Sequence, residues 1–161
     1  MLLKHERGFV NHLKDSGGMK DLGVTKATSK DYWSRKVTEA EIRFLNPDEV
    51  ASLYKAKHWD AISGDDLVSG LDSACFVWCV NSGSRRPAQA FMRVVSAKPY
   101  GKIGPKKLQA IANNDPLVMV KKLDDSRKKF YESLRTLSTF GRVWTRRNKK
   151  TMEQAISMTA V

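Results

Sequence analysis

The chain has 161 residues, 41% of them apolar and 29% charged, which is enough to bury a core and too apolar for global disorder. No stretch of 18 uncharged apolar residues occurs, which excludes a transmembrane helix, and Met1-Leu2-Leu3-Lys4-His5-Glu6-Arg7 meets charge too early for a secretory signal peptide. Lys and Arg total 29 against 17 Asp and Glu, a net +12, and the excess lies at the back: residues 1–83 carry 11 basic and 12 acidic side chains, residues 84–161 carry 18 and 5. A back half with that balance suits a polyanionic partner, whether nucleic acid, an anionic membrane or a bacterial envelope. Cys75 and Cys79, four apart with no His beside them, make neither a disulfide framework nor a zinc site.

Leu2, Leu3, Phe9 and Val10 bracket a short amphipathic helix that holds Glu6. Residues 13–28, with Gly17, Gly18 and Gly23, predict a tight hairpin or an irregular loop. Thr38-Glu39-Ala40-Glu41 is a capping box. Asn46-Pro47-Asp48-Glu49 starts another helix, with Asn46 as N-cap and Pro47 at the first helical position. Val50, Leu53, Tyr54 and Trp59 follow at helical spacing.

The apolar run 66–80 predicts a central buried helix with Leu71, Ala74, Cys75, Trp78 and Cys79 on one stripe, ended by Asn81-Ser82-Gly83-Ser84. Residues 86–96 predict a helix with Ala90, Phe91, Val94 and Val95 inward. After a turn-rich loop, Pro105 opens a helix with Leu108, Ile111 and Ala112 inward. Asp115-Pro116 opens the next, with Val120, Leu123, Phe130 and Leu134 inward, and a basic helix covers about 140–158. The expected fold is mainly α with one small Gly-rich hairpin or loop near the N-terminus.

The polar candidates concentrate in the first 25 residues: Glu6, then Asn11, His12, Asp15, Gly17-Gly18, Asp21, Gly23 and Thr25. A carboxyl on a helix followed by a Gly-rich loop with a second carboxyl can set two acids across a cleft. One then donates a proton while the other stays ionised. The same residues also fit a surface helix followed by an ordinary turn, and pattern alone leaves both open.

Glu6-Arg7-Gly8-Phe9-Val10-Asn11, Asp15-Ser16-Gly17-Gly18 and Gly23-Val24-Thr25 resemble the N-terminal signature of glycoside hydrolase family 108, bacterial and phage N-acetylmuramidases. Tyr54 with Trp59-Asp60, Gly64-Asp65-Asp66-Leu67, Gly70-Leu71-Asp72 and Val80-Asn81-Ser82-Gly83 recur in the family's order. Ile103-Gly104-Pro105 and Phe140-Gly141-Arg142-Val143-Trp144 with Arg147 resemble its companion peptidoglycan-binding region. Arg7 stands where the family has Gly, Met19-Lys20-Asp21-Leu22 departs from its usual loop, and Ser73 and Val77 replace a Tyr and an Asp.

The resemblance implies a lysozyme-like fold that cleaves the β-1,4 bond between N-acetylmuramic acid and N-acetylglucosamine. Glu6 matches the family's catalytic Glu and would be the general acid. By looser analogy with T-even phage lysozymes, which are similar in placing an Asp at this interval, Asp15 would activate a water and Thr25 would position it. Asn11, His12, Tyr54 and Asn81 are the candidate substrate contacts, and Tyr32 or Trp33 could stack on a sugar. No cofactor or metal is implied.

The expected division is a muramidase region 1–85 and a basic peptidoglycan-binding region 86–161, or two lobes of one lysozyme-like body. The expected protein is a monomeric phage endolysin. It would wait in the host cytoplasm until released to the periplasm or cell wall, engaging peptidoglycan and the anionic envelope, without membrane insertion or nucleic acid. The alternatives are a basic nucleic-acid-binding protein and a wall-binding module without catalysis.

Overall fold

The computed structural model describes residues 20–94 and 104–160. Eight α-helices, one two-stranded hairpin and a few short 3-10 and π-helical turns account for the regular structure among them. The mainly α expectation holds. The chain divides into two compact units between Lys55 and Ala56.

In the first unit, β1 (Lys20–Asp21) pairs antiparallel with β2 (Val24–Thr25), with Lys20 opposite Thr25 and Asp21 opposite Val24. The connecting Leu22 and Gly23 both have positive φ, 47° and 76°, the geometry whose twist suits a two-residue hairpin. Gly23 adopts it freely, whereas Leu22 carries strain on the order of 1–2 kcal/mol. Helix α1 (Lys26–Trp33) follows at once, because the Thr25 hydroxyl accepts the Thr28 amide at 3.1 Å and caps it. The expected irregular segment therefore ends at Thr25, not at residue 28.

Helix α2 (Glu39–Arg43) grows from the expected capping box. The Glu41 carboxylate accepts the Thr38 amide at 2.7 Å and its hydroxyl at 2.8 Å, and Arg35 Nη1 lies 2.6 Å away. The Thr38 donors, with Arg35 behind them, hold the Glu41 carboxyl down at about 2. Helix α3 (Pro47–Tyr54) starts where Asn46 Oδ1 accepts the Asp48 amide at 2.9 Å. Val24, Val37, Ile42, Val50, Leu53 and Tyr54 are the buried apolar side chains of this unit among the described residues. A π-helical turn, Lys55–Trp59, then widens the spiral, so Trp59 leaves the helical spacing that Val50, Leu53 and Tyr54 keep.

The second unit opens with 3-10 turns at Asp60–Ile62 and Gly64–Asp66. Five helices follow: α4 (Leu71–Ser82), α5 (Arg85–Val94), α6 (Pro105–Ala112), α7 (Pro116–Glu132) and α8 (Leu137–Thr159). Leu71, Ala74, Cys75, Trp78 and Cys79 are buried as their stripe predicts, and α4 packs against α5, α7 and α8. Phe91, Met92, Ile111, Met119, Val120 and Leu123 complete that core.

Three local expectations change. Ala112 is exposed because α6 ends there. Leu134 lies past the end of α7, which Ser133 caps. The last helix starts at Leu137.

Gly70 determines how closely α8 approaches α4. It precedes α4 at φ 85°, and a Cβ built there would lie 2.3 Å from the Ala155 carbonyl oxygen. Gly83, the α4 C-cap at φ 78°, faces open space. Gly83→Ala should cost about 1–3 kcal/mol from backbone strain alone. Gly70→Ala adds a collision with backbone and should cost clearly more. Urea unfolding of the two variants checks this, and equal losses would contradict the close α4–α8 approach.

Candidate functional site

Glu6, Asn11, His12 and Asp15 lie outside the described residues. Thr25, Tyr54 and Asn81 lie within them. Thr25 ends the hairpin of the first unit and Tyr54 bonds to its turn, and Asn81 sits in the second unit, in the last turn of α4.

Thr25 is placed by two structures at once: it ends β2 and caps α1. Its half-buried hydroxyl accepts the Thr28 amide and lies 3.0 Å from Thr28 Oγ1. A hydroxyl offers one proton and two lone pairs, so one position remains for a further partner such as a water. The analogy with phage lysozymes gives Thr25 a water to position, and the structure gives it the N-cap of α1 as well.

Tyr54 is buried on α3, and its hydroxyl donates to the Leu22 carbonyl at 2.7 Å. The bond ties α3 to the strained residue of the turn and offsets part of its backbone cost. Asp21 adds a second tie, since its buried carboxylate accepts the Leu22 amide at 2.9 Å. The hairpin is thus held on both sides of Leu22, with the chain position of Thr25 fixed three residues on. This holding role of Tyr54 is one the sequence did not single out.

Near α2, Trp33, Val37, Phe44 and Leu45 line an open groove of about 440 Å³, with the Arg35–Glu41 pair at its polar side. Trp33 meets Tyr32 edge-on at 5.7 Å, and Phe44 is 84% exposed. Tyr32 and Trp33 are themselves half-buried.

In the second unit, Trp59 Nε1 donates to Asp65 at 2.8 Å, and its ring meets Phe76 edge-on at 5.3 Å. A Cβ on Gly64 would lie 2.4 Å from the indole. The spacing Trp59…Gly64-Asp65 is thus a packing unit. The Cys79 sulfur lies 3.5 Å from His58 Nδ1. Burial pushes that thiol up to about 12 and, with Lys57 adding to it, His58 down to about 4. Burial also raises Cys75. At neutral pH both cysteines are therefore uncharged thiols without nucleophilic character, as their assignment to the core predicts.

Asn81 is half-buried, and its Oδ1 accepts Arg127 Nη2 at 2.9 Å. Arg127 also donates through Nε to the Tyr131 hydroxyl at 2.8 Å and is 2% exposed. Three residues before it, Asp124 accepts Asn148 and pairs with Lys128 at 2.6 Å. Burial pushes the Arg127 guanidinium below its ordinary range, while Tyr131 and Asp124 act against that fall.

The family described as Glycosyl hydrolase 108 matches residues 1–83. The chain belongs to the glycosyl hydrolase 108 family. The match takes in Glu6, Asp15, the hairpin, Tyr54 and the whole of α4. The solved structure of SagA from Brucella abortus is similar across 98% of this chain and 91% of its own, with 32% identity and a TM-score of 0.92. No curated protein sequence matches the chain. This glycosyl hydrolase 108 chain is a glycosidase by family, its mainly α fold is lysozyme-like, and peptidoglycan fits as its substrate.

The Tyr54 hydroxyl should be what keeps this hairpin closed. Tyr54→Phe leaves the Leu22 carbonyl without its buried donor and should cost about 1–3 kcal/mol. Hydrogen exchange should then quicken at the hairpin amides more than in α7. Wild-type exchange at the hairpin would show that the turn holds itself.

Proposed function

We propose that the chain is an N-acetylmuramidase that cleaves the β-1,4 bond between N-acetylmuramic acid and N-acetylglucosamine, acting as a phage endolysin. The observation that carries this is the glycosyl hydrolase 108 match over residues 1–83, which includes the Glu6-Arg7-Gly8-Phe9 start. Glu6 protonates the leaving glycosidic oxygen. Asp15 deprotonates a water, and Thr25 uses its remaining hydrogen-bonding position to hold that water in line. Attack opposite the leaving group inverts the anomeric centre, which requires the two carboxyls to stand about 6.5–9.5 Å apart.

Asn11, His12 and Asn81 are the candidate substrate contacts, and Tyr54 acts through the hairpin it fixes. Trp33 offers a sugar-stacking face.

Glu6→Gln should abolish clearing of purified sacculi in a folded protein, since general acid catalysis is worth about 10²–10⁴-fold. Asp15→Asn should lose most activity. Thr25→Ala should lose part of it, and Thr25→Ser, which keeps both cap and hydroxyl, should retain it. The first-formed reducing end should be α by NMR. Wild-type turnover by Glu6→Gln removes the acid assignment, and a β product removes the inverting mechanism.

The basic back half, residues 86–161, attaches the enzyme to the anionic envelope. Lys122, Arg146, Lys149 and Lys150 are exposed, and exposed charges are screened over about 8 Å at physiological ionic strength. Reversing these four to Glu should weaken binding to sacculi and flatten its salt dependence, with little effect on a short soluble glycan. Binding indifferent to salt and to these changes contradicts the attachment role. Before release to the wall, the enzyme would accumulate in the host cytoplasm.

A further inference from the structure

Arg127 is an expensive residue to keep. A buried guanidinium forfeits its hydration, and well-packed apolar replacements of similar volume often leave a protein as stable or more so. Its surroundings hold it still. Nε is bound to the Tyr131 hydroxyl, and the Tyr131 ring stacks on Trp144 of α8 at 5.3 Å and 27°. Asp124 on the preceding turn balances its charge and is itself held by Asn148 and Lys128. The bond that reaches beyond this α7–α8 network is Nη2 to Asn81 Oδ1, which joins residues 46 apart in the chain.

That bond fixes a choice. A carboxamide can present either its oxygen or its nitrogen, but a guanidinium has donors only. Arg127 therefore selects the carbonyl oxygen of Asn81 and turns its Nδ2 away. Nδ2 makes no hydrogen bond to the described residues, so its two N–H donors remain available on a half-buried side chain.

We propose that Arg127 is the positioning residue for Asn81, presenting Nδ2 as a donor to an acceptor oxygen of an N-acetylated sugar, its acetamido carbonyl or a ring hydroxyl. This rests on the proposed glycan-cleaving function. Without Arg127 the carboxamide rotates between two states and the donor faces substrate only part of the time. The penalty falls on substrate binding, not on proton transfer.

The test measures kcat and KM on soluble peptidoglycan fragments of defined length, with thermal unfolding of each variant alongside. Asn81→Ala and Asn81→Asp should both raise KM about three- to tenfold, the worth of one neutral hydrogen bond, with kcat changed less. Asn81→Asp is the sharper variant. It strengthens the pairing with Arg127 and keeps the fold, but has no donor to offer.

Arg127→Met should raise KM similarly in the wild type and not further in the Asn81→Ala background, and Arg127→Lys should recover part of the loss. If Asn81→Asp keeps the wild-type KM, the donor role is wrong. If the Asn81 variants raise KM while Arg127→Met leaves it unchanged, or adds to it in the Asn81→Ala background, Arg127 is structural only. Should Arg127→Met fail to fold, the Asn81→Asp and Arg127→Lys results decide alone. Absence of any wild-type turnover would instead overturn the glycan-cleaving function, and this inference with it.

Discussion

The second unit is organised by the desolvation of one helix. α4 carries Leu71, Ala74, Cys75, Trp78 and Cys79 in a stripe that water must not reach, and α5, α7 and α8 enclose it. Burying a side chain the size of Leu71 contributes about 1.5–3 kcal/mol and the smaller Ala and Cys side chains less, so apolar burial is what binds the covering helices to α4. Their close approach needs the missing side chain at Gly70, where the α8 backbone passes. The polar cost of enclosure is met at the other end of α4. There Asn81 leaves the apolar stripe and finds Arg127, with Tyr131 and Asp124 on the same face of α7.

The first unit uses a different device. Its hairpin is too short to persist by itself, because two strands of two residues bury little. It is held by what grips the turn: the Tyr54 hydroxyl on the Leu22 carbonyl and the Asp21 carboxylate on the Leu22 amide. A strained residue persists only where its surroundings over-determine it. In this unit the over-determined turn lies next to Thr25, a residue that the looser analogy with T-even phage lysozymes would give a water to position. A hydroxyl asked to hold a water must itself be held, and the cap on α1 does this.

How much was legible follows from where each signal lives. The capping box at Thr38–Glu41 and the Asn46-Pro47 start were readable because caps are local chemistry. The α4 stripe was readable because burial repeats with the helix period. The start of α1 was missed because Gly17, Gly18 and Gly23 suggested irregularity that ends sooner than residue 28. Ala112 and Leu134 were misplaced because periodicity does not say where a helix stops. Arg127 was unreadable among the 18 basic residues of the back half. Its only sequence trace is Asp124 and Tyr131 at helical spacing on either side, which marks one face and not its depth. Glu6 enters the reading through family motifs and Asp15 through a looser analogy with phage lysozymes, since neither carries a periodic or capping signal that separates it from a surface helix and a turn.

The central claim is the bond that is cut, and the new chain ends report it directly. Purified sacculi digested to completion, reduced with borohydride and hydrolysed will yield the alditol of whichever sugar carried the reducing end. An N-acetylmuramidase yields the alditol of the muramic sugar. The alditol of the glucosamine sugar would place the cut on the opposite bond, and no new alditol at all would show that this member of the glycosyl hydrolase 108 family does not cleave the glycan.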